Sequence, residues 1–296
     1  MTSNEYAKRF SRNIGILTEA EQSELKSKSV AVAGVGGLGG QSLVNLARMG
    51  IGRFSIADID IFDTANTNRQ IGATQKTKGR LKVEVLTEMV QEINPEVEVR
   101  EFRNGITAES VDEFVKSCDI VVDSLDFFCL SARRLLYDAC ERHKKTVILS
   151  APLGFSATLH VFSPTSMSAN EYFAWRPGMS TFKQLIHFSV GIAPSGLHLR
   201  YLKLSKEMLV ERGTGPSIAT GCTLGGSLVA NEILIALLKR RPLFEAPSFT
   251  QFDPYLGVYR RGRLFFGNRG IIQKIKIAFA HRYYGEFEKR FLDFIK

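Results

Sequence analysis

The chain has 296 residues, 44% hydrophobic and 23% charged, a make-up that permits a sizeable globular core. Its 39 Lys and Arg against 30 Asp and Glu give +9, which suits nucleotides, tRNA, acidic proteins or membrane surfaces without choosing among them. Cys118, Cys129, Cys140 and Cys222 form no CxxC pair, residues 1–8 are polar, and the apolar run at 228–238 is broken by Asn231 and Glu232; neither a signal peptide nor an integral membrane protein is expected, and a reducing, cytoplasmic setting is.

Taken in order, residues 19–26 favour a helix and SVAVA at 29–33 reads as a buried strand that ends in glycines. A helix is predicted over 40–49, then a strand over 53–57, then a polar, turn-rich loop to residue 75. Leu81, Val85, Met89 and Ile93 give helical spacing over 78–93, stopped by Asn94-Pro95. Strand 97–102, helix 108–117, strand 119–122, helix 131–142 and strand 146–149 continue the alternation. Such alternation calls for right-handed crossovers and a parallel sheet covered on both faces.

After Ser150 the pattern changes. Residues 157–162 read as a strand, 165–217 as an irregular stretch carrying Trp175, and 221–238 as an apolar helix. Strands over 250–253 and 257–266 are read as antiparallel. In the tail 271–296, Ile272, Ile275, Phe279, Tyr283, Phe287 and Phe291 recur with basic residues between them, an amphipathic basic helix. Its apolar side is expected to pack on its own domain, with docking on an acidic partner or a membrane surface as the alternative. The fold class is therefore α/β: a Rossmann-like, doubly wound, mostly parallel sheet extended by antiparallel strands in its C-terminal part.

The sequence from Gly34 to Gly39, GVGGLG, matches GxGxxG between a strand and a helix. Gly34, Gly36, Gly37 and Gly39 can let backbone amides approach phosphates at the helix N-terminus. Asp58, about 20 residues on, is placed to meet a ribose, with Asp60 beside it. The loop that follows adds Asn66, Arg69 and Gln70, and Lys82 lies near the start of the next helix. Hydride transfer needs no such cluster, whereas a pentavalent phosphate and a departing pyrophosphate need cationic and amide donors. Asp126, past the strand 119–122, offers a carboxylate for a metal ion at the same edge.

RFSRN (9–13), GVGGLG (34–39), DID (58–60), NTNRQ (66–70), GRLKVE (79–84), INP (93–95) and DSLD (123–126), in this order and spacing, resemble the ThiF/MoeB/HesA adenylyltransferases, relatives of the ubiquitin-activating enzymes. The resemblance covers about residues 5–165 and, more loosely, the chain to about 265. It implies an ATP-dependent adenylyltransferase that joins a carboxylate to AMP and releases pyrophosphate. Asp58 would meet the ribose, Asn66, Arg69 and Lys82 the phosphates, Gln70 would support the loop, and Asp126 would bind Mg²⁺. Arg12 would reach the γ-phosphate in the other subunit, which implies a homodimer. Residues 1–268 would form the adenylation domain, with 165–217 as a crossover that shapes the substrate pocket and 269–296 as the terminal helix.

The sequence departs from that pattern in two places. The paired CxxC motifs that hold a structural zinc in some members are missing, so zinc is not expected. Phe127 stands where the family has an asparagine after the metal-binding aspartate, which points to a divergent pocket. Cys222 sits before a helix whose dipole would lower its pKa, but a small buried cysteine is the simpler reading. The substrate expected is the C-terminus of a ubiquitin-like sulfur carrier or a peptide. The alternatives are a tRNA threonylcarbamoyladenosine dehydratase-like enzyme or an inactive family scaffold; retention of Arg69, Lys82 and Asp126 speaks against the scaffold. An NAD-dependent dehydrogenase is disfavoured because no catalytic His or Tyr-x-x-x-Lys accompanies the glycine loop.

Overall fold

In a computed structural model, residues 3–202 and 215–289 are described. Helix α1 (Ser3–Arg9) and α2 (Glu19–Ser27) precede β1 (Ser29–Ala33), α3 (Gly37–Arg48) and β2 (Arg53–Ala57). Then come α4 (Lys82–Ile93), β3 (Glu98–Phe102), α5 (Val111–Lys116), β4 (Ile120–Asp123), α6 (Leu130–Arg142) and β5 (Thr146–Leu149). The later part holds β6 (Pro152–Leu153), β7 (Ser156–Phe162), α7 (Ala169–Phe173), α8 (Thr181–Ile192), α9 (Ala219–Leu237), β8 (Ser248–Asp253), β9 (Val258–Arg263) and α10 (Ile271–Tyr284).

The sheet runs β3-β2-β1-β4-β5-β7-β8-β9, with β6 paired to β7. The β3–β2, β2–β1, β1–β4 and β4–β5 pairs are parallel, and the β5–β7, β7–β8 and β8–β9 pairs are antiparallel. The expected fold class is the observed one. Every residue of β1 is buried because both faces are covered. Val30 and Val32 join α3, α4 and α9 on one side, while Ala31 and Ala33 join α5 to α8 on the other, as the two-residue period of a strand requires.

Among the differences from the sequence reading, three regions matter most. First, α4 begins at Lys82 rather than residue 78, because the preceding residues pair with the loop after β2: Phe62 N donates to Arg80 O, Gly79 N to Phe62 O and Lys82 N to Asp60 O. Second, the stretch expected to be irregular contains α7 and α8. Ser168 accepts from Glu171 N and Glu171 reaches back to Ser168 N, a capping box that stabilises a helix start by roughly 1 kcal/mol. The helices exist because Tyr172, Phe173, Phe182 and Phe188 are fully buried among one another and against Phe162 and Trp175. Residues 203–214 of that stretch lie outside the described residues.

Third, α9 is 19 residues long rather than starting at 221. By length and composition it could cross a membrane. It packs against α3, where Gly226 lies on Gln41 and Ser42, and Gly225 lies on Leu38 and Ser150. Its buried Glu232 pairs with Arg241 at 2.7 Å.

Candidate nucleotide site

Parallel strands β1 and β4 diverge into their loops at the point where the strand order changes direction, the usual place for a ligand in such sheets. The two loops are tied together. Ser124 Oγ donates to Gly34 O at 2.6 Å, and Ser124 N donates to Ala33 O at 2.9 Å. Gly34 has φ +84°, and a Cβ there would come within 2.5 Å of Ser124 O, so only glycine fits. Gly36 caps α3, and Gly37 and Gly39 form its first turn, which points their amides along the helix axis toward a ligand. A Cβ on Gly37 would come 2.7 Å from Cys222 Sγ and 3.7 Å from Arg69 Cγ. These three residues therefore meet at the head of α3.

Asp58, just past β2, accepts from Val35 N at 2.9 Å and from Asp60 N at 2.9 Å. Its carboxylate thus clamps the glycine loop to β2. Burial pushes its pKa up, opposed by the Lys82 ammonium and the two backbone donors. Lys82 Nζ sits 2.9 Å from Asp60 Oδ2, with side-chain exposures of 7% and 49%. Gln70 is buried with Nε2 3.6 Å from where a Cβ on Gly36 would be, and its Oε1 has no hydrogen-bond partner, an acceptor left open beside the loop.

Asn66 Oδ1 accepts from Asp63 N at 3.0 Å, closing a short turn over Thr64–Asn66. Arg69 is held from behind: Nη1 donates to Ala65 O at 3.0 Å and to Asn68 Oδ1 at 2.9 Å. Asn68 in turn donates to Ser217 O at 2.8 Å, which ties this loop to the start of α9.

At the end of β4, Asp126 is exposed and accepts from Phe128 N through Oδ1 at 3.0 Å. The loop bearing it rests on a buried group that sequence reasoning missed. Asp123 Oδ2 accepts from Arg133 Nε at 2.8 Å and Tyr137 OH at 2.8 Å, and Arg133 Nη2 donates to Leu125 O at 2.7 Å and Asp126 O at 3.2 Å. Arg133 and Asp123 are 1% and 0% exposed, and the Phe188 ring lies 4.4 Å from the guanidinium. The signal available was an arginine one helical face into α6 after an Asp that ends a strand.

Arg12 is not part of this assembly. It is exposed in a short turn over Ser11–Asn13, and among the described residues it makes no hydrogen bond or ion pair. Its neighbours Arg9 and Phe10 line a hollow of about 630 Å³ with residues of α3 and α4. Cys222 lies in the first turn of α9 and is buried, the simpler of the two sequence readings, and burial raises its pKa against the opposing pull of Ser217 and Arg69. Among the described residues no group of three His, Cys, Asp or Glu could hold a metal unaided.

A profile of the ThiF family matches residues 10–265. A mosquito protein named "Adenylyltransferase and sulfurtransferase MOCS3" (Culex quinquefasciatus) is 35% identical over 168 residues, 56% of this chain and 38% of that protein. A "tRNA threonylcarbamoyladenosine dehydratase" of Bacillus subtilis is 38% identical over 121 residues, 40% of this chain and 48% of its own. The chain thus matches less than half of either relative's length. Among solved structures, E. coli MccB bound to MccA-N7isoASN superposes with TM-score 0.68 and 19% identity, covering 92% of this chain and 75% of that one, a likeness of fold.

Proposed function

The chain belongs to the ThiF family, and on that premise we propose that it is an ATP-dependent adenylyltransferase that activates a carboxylate as an acyl-AMP. The observation that carries the reading is the meeting of Arg69 with Gly37 at the head of α3, with Lys82 held nearby on the loop after β2. The α3 amides would take the phosphates, Arg69 and Lys82 would balance their charge, and Asp58 and Asp60 would meet the ribose. Lys82 would exchange Asp60 for phosphate. The substrate carboxylate oxygen forms a bond to the α-phosphorus as the bond to the bridging oxygen breaks and pyrophosphate leaves; the nucleophile is already an anion, so no base is required.

Asp126 fits a Mg²⁺ ligand in one limited sense. One carboxylate is too few for a closed metal site, but Mg²⁺ is commonly held by one or two carboxylates together with substrate phosphates. When bound there it would offset the repulsion between the triphosphate and the incoming carboxylate. Arg133 would keep the Asp126 loop in place through its bonds to the carbonyls of Leu125 and Asp126.

The substrate we favour, as the family resemblance implies, is the C-terminal carboxylate of a ubiquitin-like carrier protein or a peptide; the adenylyltransferase named in the MOCS3 relative is in keeping with it. The exposed Arg12 would reach ATP in a second copy, making a homodimer. A second reading, action on tRNA like the Bacillus subtilis relative, is favoured by that relative and by the +9 charge. Pyrophosphate exchange into ATP, measured with carrier-protein C-termini, peptides and modified tRNA in turn, tests both. Exchange with a protein or peptide carboxylate supports the first reading, exchange with tRNA alone supports the second, and none with any of them contradicts adenylation of these substrates.

A further inference from the structure

Helix α10 shows the opposite of the packing expected from its sequence. Gln273 is buried, and Ile277, Ala280 and Tyr284 pack against the aromatic core, while Lys276 Nζ donates to Pro194 O at 2.7 Å. The first part of the predicted apolar stripe faces outward instead: Ile272, Ile275 and Phe279 are 69%, 65% and 69% exposed, while the Phe287 side chain and Phe291 lie outside the described residues. Spacings of three and four place them on one helical face. Just before the helix, Phe265 and Phe266 are 69% and 70% exposed. One such residue is ordinary on a protein surface, but three on one helical face, with two more exposed just before the helix begins, call for a partner.

The charge around this patch has one sign. Between residues 258 and 289 the sequence carries eight Lys or Arg and two Glu. Beside the patch, α8 and α10 enclose a cavity of about 550 Å³ with apolar walls that include Met179, Ile186 and Ile277; Arg176, Lys183, Lys274 and Arg282 line it with no carboxylate. None of these four forms an ion pair among the described residues. His187, in the same wall, has its pKa lowered chiefly by burial, opposed by its bond to Phe173 O and helped by Arg176 and His281 nearby.

The occupant has to satisfy both features. A second copy meeting through this same face would set one basic surface against another across a twofold axis, and like charges would oppose it. A nucleic acid would answer the cations but leave Ile272, Ile275, Phe279 and the Phe265–Phe266 pair in water. An anionic bilayer takes the apolar side chains into its headgroup and acyl boundary while its phosphates meet the flanking cations. We propose that this face docks the protein peripherally on an anionic lipid surface, with α10 lying in the interface and headgroup phosphates at the mouth of the cavity.

The test is co-sedimentation of the full chain with phosphatidylcholine vesicles, with and without phosphatidylglycerol, at fixed salt. Tight binding is expected only with the anionic vesicles. Lys274→Gln with Arg282→Gln should weaken it by about fivefold per charge, and Ile275→Ser with Phe279→Ser should weaken it at least as much, both variants keeping ATP binding. Failure to bind either vesicle, equal binding to both, or variants that bind like the wild type would overturn the proposal. If Ile275→Ser with Phe279→Ser instead converts a dimer to a monomer without lipid, the face belongs to a second copy. If the charge variant loses tRNA binding while vesicle binding is unchanged, the cations serve nucleic acid; either outcome also overturns it.

Discussion

The ends of β2 and β4 face the same glycine loop, and each carries an inner and an outer aspartate, yet the cation sits on a different one in each. At β2 the inner Asp58 holds backbone amides, and Lys82 pairs with the outer Asp60, which is 49% exposed. At β4 the inner Asp123 takes Arg133 and Tyr137 in full burial, leaving the outer Asp126 exposed. A lysine whose partner is half in water can be drawn away cheaply. A guanidinium sealed against a carboxylate and two carbonyls cannot leave without stranding a buried charge. Similar pairs thus form a fixed strut at one strand end and, on the proposed function, a cation free to turn to a ligand at the other.

The largest effect that could break this comparison is at the strut. Arg133→Met should destabilise the protein by about 3–5 kcal/mol, because the buried Asp123 would lose its partner. Denaturant unfolding measures it, and adding Asp123→Leu should recover much of the loss. A single-variant cost under about 1 kcal/mol, the scale of an exposed pair, would show that Arg133 is no strut.

Next come the outer residues. Asp126→Ala should lower pyrophosphate exchange by on the order of 10² or more while leaving the unfolding midpoint near that of the wild type, with ATP affinity affected less than rate. Lys82→Ala and Arg69→Ala should weaken ATP affinity as well as rate. If Asp126→Ala keeps near-normal exchange, the outer aspartate of β4 has no part in the reaction.

The smallest effect concerns Asp58. Its folded pKa is raised by burial, so above its unfolded pKa the charged carboxylate costs stability, and that cost is relieved as pH falls through the raised folded value. Asp58→Asn should therefore look best, relative to wild type, at pH 7 and lose ground progressively on acidification. Parallel stability curves for the two proteins from pH 7 to pH 4 would show that the carboxylate is not desolvated.

Much of the edge proposed to hold the nucleotide was legible as a structural unit because it is written in local sequence. SVAVA, the glycines, Asp58 and Lys82 lie within about fifty residues of one another, and each has a positional reason tied to a strand end or helix start. The strut was not legible, since burial decides which aspartate of DSLD turns inward and β4 extends one residue further than its apolar run, to Asp123. Helices α7 and α8 were hidden by dense aromatics that mask a helical period, although the Ser168 and Glu171 pair was there to be read. In α10 the period was right and the face was wrong. Ile277, Ala280 and the polar Gln273 pack inward, and a count of the largest side chains picks the other stripe.

The central claim is that the head of α3, with Arg69 and Lys82, is built for a triphosphate. Calorimetric titration of ATP and of NAD, each with Mg²⁺, into wild type and Lys82→Ala tests it without knowledge of the acyl substrate. The account predicts that ATP binds the wild type at least about tenfold more tightly than NAD, and that Lys82→Ala loses about tenfold in ATP affinity, the equivalent of roughly 1.4 kcal/mol. NAD binding with no ATP binding would contradict it.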